Sequence, residues 1–318
     1  MAVYSPITKI ELESFLKQYS IGSLITFEGI LEGIENTNYK IKTSNNMYIL
    51  TIFEKRVNPD DLPFFINLKN HLSKKKFECP KPISNKEGKY INFIKNKYCI
   101  ITSFLDGKKT SAVKNDHCKQ VGEMLALFHQ KSKDFKETRN NTMNQKQWKN
   151  LFLKSKKVPN NKFHEIMSNI ENELIYLKKI WPKNLPKGII HADVFQDNVF
   201  FKKNKISGLI DFYFSCNDFF AYDLALTINA WCFDNQFNFE EKKFLHLIKG
   251  YESLRKLELI EKKNLSTLLR GGAIRILLTR IHDLLHHPDG AYVEPKDPKE
   301  FIYILQFHQN NNLNDFLL

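Results

Sequence analysis

The chain has 318 residues, of which 42% are hydrophobic and 26% charged. With 12 glycines and 11 prolines, this balance is that of a globular protein and excludes a disordered tail, a collagen and a small disulfide-stapled scaffold. The formal net charge is +13, but the lysines are scattered in pairs and triples and form no aromatic-interleaved stripe, so we predict no nucleic-acid partner.

The sequence carries no signal of a membrane, secreted, disulfide-bonded or zinc-binding protein. No apolar run approaches the roughly 20 residues that a membrane-spanning helix needs. The opening stretch, MAVYSPITKIELES, lacks the basic cluster and apolar core of a secretory signal. We therefore predict a cytoplasmic protein with no membrane partner. The five cysteines include no C-x-x-C pair, which argues against a disulfide framework and a zinc site.

The first hundred residues predict a sheet with two helices. Thr8 and Glu11 form a capping box that opens a helix ending before Gly22. Three β-rich runs, LITFEGIL, TNYKIKT and MYILTIF, predict an antiparallel meander. A second amphipathic helix ends near Lys76, and the prolines of CPKPI then impose an extended connection. Two further runs, KYINFI and KYCIITSFL, complete a predicted five-stranded sheet.

The rest of the chain is predicted to be mainly helical. Asp106 and Gly107 break the strand pattern, so we place a lobe boundary at about Leu105. One short β region, Gly188–Ile210, interrupts the helices as a loop between two apolar strands. The predicted class is therefore α+β. Helical spacing recurs in Val113–Gln130, Trp148–Phe152, Ile166–Ile180, Ala221–Cys232, Glu240–Lys256, Glu261–Leu285 and Pro298–Phe307.

The β region carries the pattern H-x-D-x-x-x-x-N, followed after the second strand by Asp211 and Phe212. To catalyse phosphoryl transfer, a protein mainly positions the reactants and neutralises the charge of the phosphates. A tight loop would bring three oxygen donors to one edge: Asp193 beside the attacking hydroxyl, and Asn198 with Asp211 as ligands of Mg²⁺. Taken singly, each is equally typical of a turn or a strand end. His191 follows an apolar run, and we predict that it orients the loop.

These motifs resemble the aminoglycoside phosphotransferase and choline kinase branch of the protein-kinase-like superfamily. Further stretches are similar to the bacterial homoserine kinases of that branch, and they span nearly the whole chain: GILEGIENTNYKI, YILTIFE, HADVFQDNVFF, GLIDFYFSCNDFFAYDLALTINAWCF, GGAIRILLTRIHDLL and GAYVEPKDPKEF. The resemblance implies a bilobal protein-kinase-like fold. Residues 1–105 would be the nucleotide-binding lobe, and residues 106–318 the larger, mainly helical catalytic and substrate-binding lobe.

The resemblance also implies the activity, which is phosphorylation of the side-chain hydroxyl of L-homoserine by ATP and Mg²⁺, on the route to threonine. Asp193 would be the catalytic base, and Asp223 would brace its loop. The first β-turn would cover the phosphates of ATP, although such a turn is also typical of a plain hairpin, and the inter-lobe link would hold adenine through its backbone. The implied nucleotide-binding residues are Gly33, Glu35, Asn36, Thr37, Asn38, Ser103, Phe104 and Leu105.

One feature departs from the kinase-like pattern. The third strand normally carries a lysine for the α- and β-phosphates, but Thr51 stands at that position. Lys55 and Arg56, just past the strand, are the candidate substitutes, and no glutamate partner for such a lysine is identifiable. The departure raises the alternative of a non-catalytic, ATP-binding pseudokinase. The intact set of three predicted catalytic positions argues against it.

An amino-acid substrate requires a cation for its carboxylate and an anion or carbonyl for its ammonium, because a buried unpaired charge is costly. Arg275, Arg280 and Asp283 lie on one predicted helix that is almost surrounded by apolar residues, so we predict that they bind the substrate. Ordinary surface charges are the alternative. A kinase of the same fold acting on choline, methylthioribose or an aminoglycoside also stays open, and the sequence predicts no oligomeric state.

Overall fold

The structure is a computed structural model that describes residues 5–30, 36–54, 57–158, 163–287 and 295–318. The chain divides into two compact units. The first comprises the described residues up to Gly107 together with Ser207–Tyr213, and the second comprises the described remainder. The segment that carries Asp211 therefore packs with the sheet-rich first unit, although it lies a hundred residues further along the chain.

The elements follow the predicted order. The helices are α1 (Lys9–Leu16), α2 (Leu62–Lys74), α3 (Asn115–Lys131), α4 (Gln145–Lys156), α5 (His164–Ile180), α6 (Phe220–Trp231), α7 (Glu241–Leu254), α8 (Leu259–Leu285) and α9 (Lys299–Asn310). The strands are β1 (Leu24–Ile30), β2 (Asn36–Thr43), β3 (Met47–Phe53), β4 (Pro82–Ile83), β5 (Asn92–Ile94), β6 (Lys97–Ser103), β7 (Lys187–Ile190), β8 (Val199–Lys202), β9 (Lys205–Leu209) and β10 (Cys216–Phe219).

The first unit is built on one antiparallel sheet with the order β1-β2-β3-β6-β4, in which β5 also pairs with β6. The sheet has six strands rather than the predicted five, because the extended proline segment pairs with β6 at the edge, where a proline removes no needed donor. The capping box of α1 is confirmed, since Thr8 and Glu11 bond each other reciprocally. Leu12, Phe15 and Leu16 of α1 are buried in the same apolar cluster as the inner face of the sheet.

The second unit packs helices around α6 and α8. Residues 221–231 of α6 are all buried, as expected for a helix that is apolar all round. Helices α3 and α7 approach most closely at two glycines, because a Cβ on Gly122 would lie 2.1 Å from the Leu247 carbonyl oxygen and one on Gly250 would lie 2.0 Å from that of Lys119. Two short sheets, β7 with β10 and β8 with β9, complete the unit's β structure.

Strand β10 is a difference from the sequence prediction. Its residues, CNDF, are too few and too polar to show an alternating pattern. They become a strand because they pair antiparallel with β7, directly before the predicted catalytic loop.

None of the described helices is both long enough and apolar enough to cross a membrane. All five cysteines are buried and unpaired, as the sequence predicts.

His308 of α9 provides a pH test of the second unit. Its Nε2 lies 2.8 Å from Asn229 Oδ1, and burial together with the charge of Arg270 lowers its pKa to about 3. The unfolded chain binds the proton at a pKa of about 6.5, so the free energy of unfolding falls as pH decreases below that value. Between pH 7 and pH 5 we expect the wild type to lose about 2 kcal/mol more than His308→Gln, measured by urea unfolding. His246→Gln, on the surface of α7, serves as the control, and equal pH slopes for wild type and His308→Gln would contradict the expectation.

Candidate active site

The predicted catalytic loop runs from His191 at the end of β7 to Asn198 at the start of β8 in the second unit. Asn198 is buried, and its Nδ2 donates to both the backbone oxygen and the Oδ2 of Asp193, at 2.9 Å each. These two bonds hold the carboxylate of Asp193 in one orientation. They also turn the Oδ1 of Asn198 to the opposite side of its planar amide, where it can accept a ligand.

The base of the loop is held by Asp223, which lies in the first turn of α6 and is fully buried. Its Oδ2 accepts from the backbone N–H of His191 and its Oδ1 from that of Ala192, both at 2.8 Å. Ala192 has a φ of +63°, a left-handed conformation that costs a non-glycine residue roughly 1–2 kcal/mol. The bonds to Asp223 keep the backbone in this conformation, so the bracing role predicted for Asp223 is consistent with the contacts.

A chain of buried polar groups continues from Asp223 into the helices. His129 Nε2 lies 3.0 Å from Asp223 Oδ2, and His129 Nδ1 lies 2.8 Å from the hydroxyl of Tyr251. Arg255 then donates to the Tyr251 hydroxyl and to both oxygens of Glu261. Burial lowers the pKa of His129, and the bond to Asp223 offsets only part of that effect. A neutral His129 therefore donates to Asp223 and accepts from Tyr251.

The electrostatics of Asp223 agree with this arrangement. Burial by itself raises the pKa of Asp223, but the hydrogen bond from His129 and the backbone donor of His191 outweigh it, so the pKa lies below its usual range. The carboxylate is therefore ionised when it accepts its three bonds.

Arg275 of α8 holds the loop from the carbonyl side. It is buried, its Nη1 donates to the Ala192 oxygen at 2.7 Å, and its guanidinium lies 5.3 Å from the ring centroid of Phe214. Arg280 instead donates to the Asp297 carbonyl and to Glu300, at the start of α9. Asp283 lies beside His282 near the end of α8. The three predicted substrate residues thus make three separate sets of contacts, and their substrate role stays a prediction.

The far side of the loop is fastened to α6 and to the segment before α9. Trp231 Nε1 donates to the Val194 oxygen at 2.7 Å, and Gln196 donates to the Ala230 oxygen at 3.0 Å. Lys296 bonds the exposed Asp197. His191 is fully buried, with its ring against Phe128. Its position inside the protein agrees with an orienting role.

In the first unit, Asp211 has a φ of +62° and lies just after β9. Tyr213 packs edge-on against Phe53 of β3 and Phe65 of α2. Lys69 of α2 points into this cluster, with its Nζ 5.4 Å from the ring centroid of Tyr213. Burial lowers the pKa of Lys69 to about 8, while the charge of Asp211 opposes the shift. Helical spacing from Phe65 puts Lys69 on the buried face of α2, a signal that sequence reasoning missed.

Residues of the predicted nucleotide turn fall into two groups. Asn38 accepts a 2.7 Å bond from the hydroxyl of Thr51, its direct partner on β3. Thr37 is buried and donates to Glu54 at 2.7 Å, and Asn36 accepts from the backbone of the same glutamate. Gly33, Glu35, Lys55 and Arg56 lie outside the described residues.

The link predicted to hold adenine is partly used by the sheet itself. The N–H of Ser103 donates to the Lys81 oxygen at 2.8 Å, and the N–H of Phe104 donates to the Met47 oxygen at 3.2 Å. The N–H groups of Ser103 and Phe104 are therefore not free for adenine. An adenine contact from this link would use its carbonyl groups or Leu105.

Asn198 and Asp211 each carry a side-chain oxygen of the kind that Mg²⁺ prefers. Asn198, in the second unit, offers an amide oxygen, and Asp211, in the first unit, offers a carboxylate. Both are hard oxygen ligands, and Mg²⁺ typically takes one or two such groups and fills its other positions with phosphate and water. Within the described ranges, no group of three or more His, Cys, Asp or Glu side chains forms a metal site of its own. The metal role of the two residues stays a prediction.

Comparison with known proteins identifies the family. The model of the APH phosphotransferase enzyme family matches residues 26–257. A homoserine kinase of Sinorhizobium medicae is 43% identical over 309 residues, which cover 97% of this chain and 95% of that protein. One from Parvibaculum lavamentivorans is 44% identical, with 97% and 96% covered. The chain belongs to the homoserine kinase family of phosphotransferases.

Solved structures confirm the fold of this homoserine kinase family member. The amicoumacin kinase hAmiN, in complex with AMP-PNP, Ca²⁺ and Ami, has a TM-score of 0.71 at 15% identity, covering 98% of this chain and 94% of that one. Choline kinase from Cryptosporidium parvum has a TM-score of 0.65 at 16% identity, with 90% and 88% covered. The predicted protein-kinase-like fold class, with an antiparallel sheet followed by a mainly helical part, is confirmed.

The clamp at Asp223 can be tested by substitution. Asp223→Asn keeps the size of the side chain but turns an amide N–H toward backbone or imidazole donors. We expect the free energy of unfolding to fall by about 3 kcal/mol and the amides of His191 and Ala192 to exchange faster, measured by urea unfolding and hydrogen exchange. Asp116→Asn, on the exposed first turn of α3, should change stability by less than about 0.5 kcal/mol. Wild-type stability of Asp223→Asn would remove Asp223 as the support of the loop.

Proposed function

We propose that this chain is an ATP-dependent homoserine kinase, which transfers the γ-phosphoryl group of ATP to the side-chain hydroxyl of L-homoserine. The supporting observation is the 43% identity to a homoserine kinase over 97% of the chain. The neighbours named for amicoumacin and choline are only 15% and 16% identical, so their names favour no acceptor for this chain. A cytoplasmic location and the absence of a nucleic-acid partner stay predictions.

In the proposed reaction, the hydroxyl oxygen of homoserine forms a bond to the γ-phosphorus, and the bond from that phosphorus to the bridging oxygen of ADP breaks. Asp193 accepts the proton of the hydroxyl, and ADP leaves with the bonding electron pair. The two bonds from Asn198 support this role because they keep the carboxylate of Asp193 in one orientation. Asn198 and Asp211 would hold Mg²⁺, which neutralises charge on the phosphates when bound.

Arg275 is the best supported of the three predicted substrate residues. Its guanidinium contacts Ala192, the residue directly before Asp193, so a carboxylate bound by Arg275 would lie near the proposed base. Arg280 is committed to Glu300, and Asp283 stays the predicted partner of the substrate ammonium. A pseudokinase has no support from the loop, because the contacts that orient Asp193 are in place.

The acceptor is tested by measuring ADP release with L-homoserine, choline, methylthioribose and kanamycin, each at several concentrations. We expect the highest kcat/KM with L-homoserine, and a product identified by mass spectrometry as O-phospho-L-homoserine. A higher kcat/KM with any of the other three acceptors would refute the proposed substrate while leaving the family assignment intact.

The proposed base is tested with Asp193→Asn. We expect kcat to fall about 10³-fold, within the range for loss of a general base, while the Kd for ATP changes less than about twofold. Asp197→Asn, an exposed position in the same loop, is the matched control and should keep most of the activity. Equal losses of turnover and ATP binding in Asp193→Asn would assign Asp193 to the nucleotide instead.

The proposed metal ligand is tested with Asp211→Ala. Removing the carboxylate should abolish the activation of turnover by Mg²⁺, measured as rate against Mg²⁺ concentration at constant ATP. Asp116→Ala provides the control for loss of a carboxylate. A Mg²⁺ response of Asp211→Ala equal to that of the wild type would exclude Asp211 from the metal site.

A further inference from the structure

Lys69 is a lysine in the core of the first unit. Its exposure is 4%, and within the described part of the chain its ammonium has no hydrogen bond or ion pair. The described contacts of its ammonium are the face of the Tyr213 ring, whose centroid is 5.4 Å from Nζ, and the charge of Asp211. Lys97 and Lys243, by contrast, each bond a glutamate directly.

A buried ammonium without a hydrogen-bonded partner is costly, because the lost hydration is not replaced. A cation–π contact with an aromatic ring recovers only part of that cost. The arrangement is therefore unfavourable for stability alone. Such a residue is typical of a binding site, in which the ligand supplies the missing acceptors.

The surroundings of Lys69 indicate which ligand this is. The ring of Tyr213 lies beside the Lys69 ammonium and packs against Phe53 of β3. Thr51, two residues earlier on the same strand, bonds Asn38 of the predicted phosphate turn. Asp211, the proposed metal ligand, is close enough to act on the charge of Lys69. The one cation in this cluster thus lies among the described groups that the proposed function assigns to ATP and Mg²⁺.

Strand β3 has no positively charged side chain at Thr51, the position where the kinase-like pattern has a lysine. Thr51 is neutral, and its hydroxyl donates to Asn38. A triphosphate carries several negative charges, and its binding requires positive charge or N–H donors beside the α- and β-phosphates. Lys69 reaches the same cluster from α2 and supplies such a charge.

We propose that Lys69 binds the α- and β-phosphate oxygens of ATP, so that helix α2 provides the cation that strand β3 lacks at Thr51. This assignment rests on the proposed function and adds a nucleotide-binding residue to it. The lysine ammonium acts as a point charge with three donors, which suits oxygens on two adjacent phosphates. The ring of Tyr213 lies beside the ammonium, with its centroid 5.4 Å from Nζ.

The test is Lys69→Met, which preserves the length of the side chain and removes its charge. Isothermal titration without any acceptor measures the Kd of ATP, ADP and adenosine, with Mg²⁺ present for the nucleotides. We expect ATP and ADP to bind about 10- to 100-fold more weakly, the range for loss of a bond to a charged group, and adenosine to bind as in the wild type. Lys69→Arg keeps the charge and should bind ATP more tightly than Lys69→Met.

Lys243→Met is the control for removal of a buried lysine, because Lys243 bonds Glu240 in the second unit; we expect no change in ATP affinity. We also expect the Tm of Lys69→Met to equal or exceed that of the wild type, since an unpartnered charge is replaced by an apolar group. Unchanged ATP affinity, or an equal loss for adenosine, would overturn the role of Lys69. So would a large fall in Tm, which would show that the ammonium supports the fold. A wild type that binds no ATP would refute the proposed function itself, and the assignment with it.

Discussion

The carboxylate of Asp223 is the group on which the candidate catalytic loop depends. It is buried, and it accepts the N–H groups of His191 and Ala192 and a hydrogen bond from the ring of His129. A buried carboxylate is stable only when such donors surround it. The loop and the carboxylate therefore depend on each other. The N–H groups of the loop satisfy the carboxylate, and the carboxylate holds the loop in a left-handed turn. Asp193 owes its position to this turn.

The same constraint extends through the helices of the second unit. His129 must present Nε2–H to Asp223, and it does so because the hydroxyl of Tyr251 bonds its other ring nitrogen. Tyr251 is held in turn by Arg255, whose own partner is Glu261 at the start of α8. Helices α3, α6, α7 and α8 are thus joined by one buried polar network, in which the loss of any member leaves a neighbour unsatisfied.

The first unit follows a different principle. Its cluster around Tyr213 keeps a lysine ammonium in the interior with no hydrogen-bond acceptor among the residues that the structure describes. The carboxylate of Asp223 is satisfied by protein donors, whereas this cluster leaves part of the lysine charge for a ligand to satisfy. The contrast explains why we assign Asp223 and His129 to positioning and Lys69 to nucleotide binding.

The sequence by itself determined the element order, the α+β class and the loop motif, because helical spacing, strand alternation and the H-x-D-x-x-x-x-N pattern are local properties. It also supported the family, whose motifs span the chain. Only the tertiary structure decided that CNDF pairs as a strand, that Asp211 packs with the first unit and that Arg275 reaches Ala192. Each of these depends on residues far apart in the chain. Lys69 is an intermediate case. Its spacing from Phe65 placed it on a buried face, but only the three-dimensional structure shows that no described residue accepts a hydrogen bond from its ammonium.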